Sequence, residues 1–340
     1  MRYRFGSLVS RLDRLQRRHR FLGFPWAVLR KYFDDDGARL AALITYYGFL
    51  SLFPLLLLAT TVVTELLRSQ PELQRQLLDR LVSPTLRPDV EQALAHLPPS
   101  GIPLAFGLVS LLLTGTGGVL AMYSVLNKMW GVPWRDRFAL ARRYARALLV
   151  LVLSLISAVI AAGSTVVTDA VLRLPLVQRG AAAVATATAV FAVIVVAHKA
   201  LVCRPLRMRD IWVGGAVGAT VVTALLSVAA TILPALVTRA GLVYGSFATV
   251  VGIFTLLYLI SQTLVLSVEV STVIEARLSP RSLTYAAPTD IDRRALELQA
   301  RRQERVPGER ILTTFSTAAV DNSSAGEEAD GGPAGKDRRS

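Results

Sequence analysis

The stretch A-A-L-I-T-Y-Y-G-F-L-S-L-F-P-L-L-L-L-A-T-T-V-V-T, residues 41–64, holds no ionisable acid or base in 24 positions. A helix needs about 20 apolar residues to cross the hydrocarbon of a bilayer, so this stretch predicts a membrane span. Five more segments of the same kind follow, at 103–126, 147–168, 180–202, 211–237 and 245–268. Within all six, Asp, Glu, Lys, Arg and His occur only as His198 and Lys199. The expected fold is an all-α, polytopic membrane protein with six transmembrane helices.

Composition agrees. Hydrophobic residues make up 53% of the 340 and charged residues 18%, with mean hydropathy +0.47. A soluble domain carries about 25% charged residues. An ordinary soluble enzyme and a disordered chain are both excluded. The net charge of +14 would suggest nucleic acid in a soluble protein. Here basic loops facing anionic lipid account for it, and no nucleic-acid partner is expected. The single cysteine, Cys203, forms neither an internal disulfide nor a cysteine-based zinc cluster. The first long apolar run follows a long basic segment, so the first span is expected to act as its own insertion signal.

Lysine and arginine set the orientation. Ten precede the first span, six lie in 127–146, four in 198–210 and eleven after residue 268. The remaining three loops hold four, two and one. Basic residues mark the cytoplasmic side, so both termini are expected there, N-in/C-in.

The chain divides into a cytoplasmic N-terminal segment (1–40), a membrane domain (41–276) and a basic, largely disordered cytoplasmic tail (277–340). Residues 7–33 interleave basic and apolar side chains, which predicts an amphipathic helix on the lipid surface or docked on the loops between spans. The outside loop 65–100 carries Leu73, Leu77, Leu81, Val90, Leu94 and Leu97 at helical spacing. It reads as two short amphipathic helices divided at Pro84 and Pro88. Residues 290–305 form a candidate charged helix, the region from 317 reads as disordered, and the charges of this tail are expected to do no chemistry.

Polar groups within spans mark helix contacts or a water-filled path. Tyr47, Ser51 and Pro54 share one face of the first span, as a polar seam or a proline-bent packing face. Gly115, Gly117 and Gly118 lie mid-way along the second span. They predict either a helix break exposing backbone carbonyls or a close helix approach. Gly214 and Gly218 in the fifth span are four apart, which favours tight crossing. Glu269, just past the sixth span, is expected to be solvated, to pair with Lys128 or Arg135, or to gate a path.

Catalytic chemistry is missing. There is no phosphate loop and no H-E-x-x-H zinc motif. Asp34–Asp36 could hold a divalent cation, but more simply they supply negative charge at the start of the first long helix. No cofactor, metal site or enzymatic activity is expected.

Several motifs resemble the YihY/BrkB family of bacterial inner-membrane proteins. Ala41-Ala42-Leu43-Ile44-Thr45-Tyr46-Tyr47 with Ser51-Leu52-Phe53-Pro54 is similar to the family's A-A-x-x-x-Y-Y…S-L-x-P signature. Asn127-Lys128-Met129-Trp130 resembles its N-x-x-W, and Tyr244-Gly245-Ser246-Phe247 its Y-G-S-F/L. Tyr258 and Glu269 keep the family's eleven-residue spacing. Leu256 departs from a common tryptophan, and Ser267-Val268 from Gly-Ala. The resemblance implies a six-helix protein of the bacterial inner membrane. It also brings the labels ribonuclease BN and virulence or serum resistance. A nuclease is disfavoured because no metal–carboxylate site or soluble domain is visible.

The leading expectation is a transporter of lipid or another amphipathic envelope component, with anionic headgroups as cytoplasmic partners. Its pathway residues would be Tyr47, Ser51, Pro54, Gly115, Gly117, Gly118, Asn127, Trp130 and Glu269, the last three forming a cytoplasmic gate. The alternative is a structural or assembly factor with envelope-protein partners or a homo-oligomeric state.

Overall fold

The computed structural model of the chain describes residues 20–69, 101–171, 175–244, 246–283 and 288–315. Among the described residues there are eight α-helices, one short 3-10 turn (Trp134–Asp136) and no strand. The helices are α1 Arg20–Asp34, α2 Gly37–Ser69, α3 Gly101–Met129, α4 Leu140–Val171, α5 Pro175–Leu201, α6 Met208–Tyr244, α7 Ser246–Ala276 and α8 Asp290–Arg301.

Each of the six long helices, α2 to α7, coincides with one apolar segment of the sequence. Among the described residues, five stretches are long and apolar enough to cross a membrane: Gly37–Leu58, Leu104–Met129, Ala183–Leu201, Met208–Ala230 and Thr249–Ala276. The remaining segment, 147–168, lies in α4, whose side chains are described as far as Ile156. The outside loop lies outside the described residues beyond Ser69, as do residues 7–19 of the N-terminal segment and the tail from 316.

The helices pack in chain order. α2 lies on α3, α3 on α4, α4 on α5, α5 on α6 and α6 on α7, and α7 returns to α2. The six form a closed ring. Their outer surface is apolar, with Phe53, Phe106, Leu113, Val184 and Phe247 exposed. In water such a surface would be costly, whereas against lipid tails it costs nothing.

Packing is densest at one end, where α3, α5 and α7 finish and α6 begins. Tyr123, Leu126, Met129 and Trp130 of α3 meet Leu201, Ile211, Val265 and Val268 there. Two backbone turns shape this end. Asp36 adopts φ +58 between α1 and α2, a left-handed conformation that aspartate tolerates. Gly131, at φ +67, ends α3 and turns the chain out of the bundle.

The described part of the N-terminal amphipathic segment is docked. α1 buries Ala27, Val28 and Tyr32 and packs with Val273 and Leu278 beside α7. Its other face keeps Leu29 and Phe33 exposed.

The chain after α7 also returns to the bundle. α8 begins with a capping box, in which Thr289 and Asp292 satisfy each other's backbone N–H groups. Charges in α8 and just after it turn inward: Asp292, Arg302 and Glu304 are buried.

Candidate functional site

A network of charges joins α1, the α1–α2 turn, α3, α7 and α8. Lys31 Nζ lies 2.6 Å from Glu269 and 2.7 Å from Asp35, and donates to the Met129 carbonyl at 3.1 Å. Arg302 donates to Asp35 at 2.7 Å and to the Lys128 carbonyl at 2.9 Å. Lys128 reaches the Asp35 carbonyl and the Asp36 carboxylate. Arg281 bridges Asp34 at 2.6 Å and Asp292 at 3.2 Å. Gln299 donates to the Asp34 carbonyl. α8 is thus fastened to α1 by polar side chains as well as by Ile291, Ala295 and Leu298, which pack on the cluster of Ala27 and Val28.

This arrangement corrects the expectations for Glu269. It is fully buried rather than solvated, and its partner is Lys31, not Lys128 or Arg135. Lys128 serves the Asp35–Asp36 turn, and Arg135 pairs with Glu304 at 2.9 Å. Thr272 donates to the same Glu269 oxygen as Lys31, while Oε1 has no hydrogen-bond partner among the described residues. Burial works against the Lys31 ammonium, but Glu269 and Asp35 outweigh it and hold its pKa above the ordinary lysine value. Burial likewise opposes the Asp35 carboxylate, and Lys31 and Arg302 reverse that, holding its pKa below the usual range. The acidic triplet therefore meets cations from α1, α3, the α7–α8 connection and the segment after α8, and among the described residues no metal-binding group of His, Cys, Asp and Glu is present.

The other expected residues fall into two groups. Asn127 and Trp130 sit at the same end as Glu269. Asn127 donates to the Leu201 carbonyl at 2.9 Å and to the Tyr123 carbonyl at 2.8 Å, and accepts from the Cys203 N–H at 2.9 Å. It splices α3 to the end of α5. Trp130 is buried with its ring edge-on to His198, and its carbonyl accepts from Arg204. Arg204 also pairs with Glu275.

Tyr47 faces Gly117 and Gly118 where α2 meets α3, Ser51 and Pro54 lie further along α2, and Gly115 faces α4. α3 runs unbroken through Gly115, Gly117 and Gly118, so the helix-break expectation is replaced by close approach. A Cβ at Gly117 would lie 2.7 Å from the Tyr47 ring, and one at Gly115 would lie 2.9 Å from Leu151. Gly118 faces Tyr47 Cβ at a relaxed 3.5 Å. Ser51 donates back to the Tyr47 carbonyl at 2.6 Å, and Pro54 is buried within α2. A leucine at Gly117 would displace Tyr47 and so perturb packing whatever the path of a substrate.

Between α1, α7 and α8 lies a cavity of about 240 Å³. Lys31, Arg204, Arg281, Arg294 and Arg302 line it together with Asp34, Asp35 and Glu275, and Trp130 and Leu298 form its apolar wall. Lys31 and Arg302 are buried and paired, whereas Arg294 has no partner among the described residues. The sequence signals missed here were the Lys31–Asp35 spacing of four, which places both on one helical face, and the arginines of the tail.

An all-helical ring with an apolar exterior and a charged, plugged end defines a multi-pass membrane protein. The family model described as virulence factor BrkB matches residues 28–291, and the chain belongs to that family. No curated protein and no solved structure shows a significant match.

The α8 latch has a pH signature. Burial opposes the Asp292 carboxylate, but hydrogen bonds from Ser282, Thr289 and Arg281 win and lower its pKa, as cations do for Asp35. Depressed pKa values mean docking is fully stabilised above the ordinary carboxylate value of 3.8 and is lost as pH falls through the depressed values. Distances between spin labels on α1 and α8 should therefore stay constant from neutral pH to about 4 and lengthen below it. Separation on raising the pH from 7 would contradict this assignment.

Proposed function

We propose that the protein moves an anionic amphiphile, a lipid or another envelope component, across the membrane without covalent chemistry. The observation that carries this reading is the cavity between α1, α7 and α8. Five cations against three acids give its lining a net positive charge beside an apolar wall, the combination an anionic headgroup with its first methylenes requires. It lies beside the Lys31–Glu269 pair, at the end of a stretch apolar enough to span.

The basic loops and both termini lie at the cytoplasmic face of a bacterial inner membrane in this reading, and α2 to α7 supply six spans. Contacts of the segment after α8 with the end of α3 and the α3–α4 connection, together with the bond from Arg204 in the α5–α6 connection to the Trp130 carbonyl, support a common side for both termini.

The test is translocation in liposomes. Full-length protein is reconstituted with headgroup-labelled phosphatidylglycerol, and an impermeant reductant reads the label reaching the outer leaflet. Translocation above empty liposomes is expected, slowed about threefold or more by Arg294→Glu, a loss of under 1 kcal/mol per charge reversed plus added repulsion. The same rate as empty liposomes, with and without a pH gradient, would overturn the proposal.

A further inference from the structure

A second set of cations lies away from that cavity, where α3 meets α4. Arg137, Arg143 and Arg146 gather around the rings of Tyr123, Phe138 and Trp134, the first two tilted at 35° with centres 6.3 Å apart. Arg143 lies 5.1 Å from the Tyr123 ring centre, Arg146 lies 4.0 Å from that of Phe138, and Arg137 lies 3.8 Å from that of Trp134. Arg146 donates to the Ala200 carbonyl at 3.1 Å. For Arg137 and Arg143, no side-chain hydrogen bond and no ion pair occurs among the described residues, and the Nε of each is buried without a partner. The neighbouring acid, Asp136, turns to Arg135 at 3.7 Å.

Such an arrangement is electrostatically unbalanced. Buried guanidinium donors without acceptors are costly, and cation–π contacts satisfy the face of the charge but not its N–H groups. Arg143 and Arg146 also sit in the first two turns of α4, where the helix dipole disfavours cations. Arg143 and Arg302 both add positive potential at Arg137. An anion with several acceptor oxygens would relieve all of these at once.

The surface beside the cluster says what carries that anion. Leu140, Tyr144, Leu148, Val152 and Ile156 recur every four residues along α4 and are all exposed. At 1.5 Å per residue this stripe runs about 24 Å, most of the hydrocarbon thickness, and starts level with the arginines. The exposed Trp134 stands at its head, in the position tryptophan favours at a lipid–water interface.

We propose that Arg137 and Arg143, with Arg146 beside them, form a specific site for the phosphate of one anionic phospholipid, whose acyl chains lie along the Leu140–Tyr144–Leu148 stripe of α4. The site is separate from the α1–α7–α8 cavity and holds a resident lipid whether or not the protein transports one.

Native mass spectrometry of the full-length protein in detergent tests this. Phosphatidylglycerol, phosphatidylcholine and inorganic phosphate are titrated in turn. One phosphatidylglycerol is expected to bind with higher affinity than phosphatidylcholine and to resist displacement by inorganic phosphate. Arg143→Gln should weaken it about tenfold, the value of one charge-assisted hydrogen bond. Arg209→Gln, removing an exposed charge paired with Asp210 near the start of α6, should weaken it less than twofold, as diffuse attraction alone allows. If Arg143→Gln fails to fold, Arg143→Lys keeps the charge and stem, and the lost fork should still cost about threefold. Equal losses for the Arg143 and Arg209 variants would show diffuse attraction and overturn the site. Displacement by inorganic phosphate would make it a free-phosphate site and overturn the lipid assignment.

Discussion

Replacing Lys31 by methionine is expected to cost about 3–5 kcal/mol, because it leaves a buried carboxylate without its cation. The side chains of Lys31 and Glu269 are 12% and 0% exposed, so water can do little to compensate. The pair is not symmetric. Lys31 serves two carboxylates, Glu269 and Asp35, and Asp35 keeps Arg302 when Lys31 is lost. Glu269 keeps only the Thr272 hydroxyl. Glu269→Gln should therefore be the milder change, near the 1–3 kcal/mol of a weakened hydrogen-bonded contact, since Lys31 retains Asp35. Adding Glu269→Gln to Lys31→Met should restore much of the lost stability, because it removes the orphaned charge. The measurement is a double-mutant cycle on thermal unfolding midpoints in detergent, with folded yield read by size exclusion. Additive losses would show that the two side chains do not depend on each other and would remove the pair from the account of this end of the bundle.

The six long helices were legible because hydrocarbon imposes a length and a composition that few other structures share. The contacts between them were legible only where backbones meet. Gly214 and Gly218, four apart, announced a tight crossing because a missing side chain is visible in sequence. The glycines at 115, 117 and 118 left two readings open, since a glycine run weakens a helix and also admits a neighbour. The Tyr47 ring and Leu151 decide between them, and both come from other helices. Glu269 illustrates a further limit. Its partner Lys31 lies 238 residues away, and nothing in a charge's local sequence names a partner at that distance. Arg281, Asp292 and Arg302 were hidden for the opposite reason. A short, strongly charged helix resembles a solvated one until its salt bridges are seen to point inward. The Arg137–Arg143–Arg146 cluster was counted in the sequence only as charge that orients the protein. Its lack of acidic partners emerges from the packing of α3 against α4.

A single methyl group at Gly214 should be enough to open the largest helix contact in the ring. An ideal Cβ there falls far inside van der Waals contact with the Ser267 carbonyl and the Ser271 hydroxyl on α7. The carbonyl belongs to the backbone of α7 and cannot rotate aside. Four residues on, a Cβ at Gly218 would lie 2.7 Å from Ser267 Cβ. Two small-residue stripes therefore face each other, Gly214 and Gly218 on α6 against Ser267 and Ser271 on α7. Ser267, a departure from the family's usual glycine, keeps that role because serine is still small. Relieving the clash requires α6 and α7 to separate, and that movement reaches the Lys31–Glu269 pair, because Glu269 stands between the two serines in sequence. Gly214→Ala should cost at least the 1–3 kcal/mol typical of overpacking, and Gly214→Leu should abolish folded yield. Gly48 is the control: it also lies in a long helix, but nothing stands within 4 Å of its would-be Cβ. Gly48→Ala should be neutral or stabilise by up to about 1 kcal/mol through helix propensity. Unfolding midpoints that rise equally in both alanine variants would mean that α6 and α7 do not approach this closely in the membrane, and the crossing would have to be redrawn.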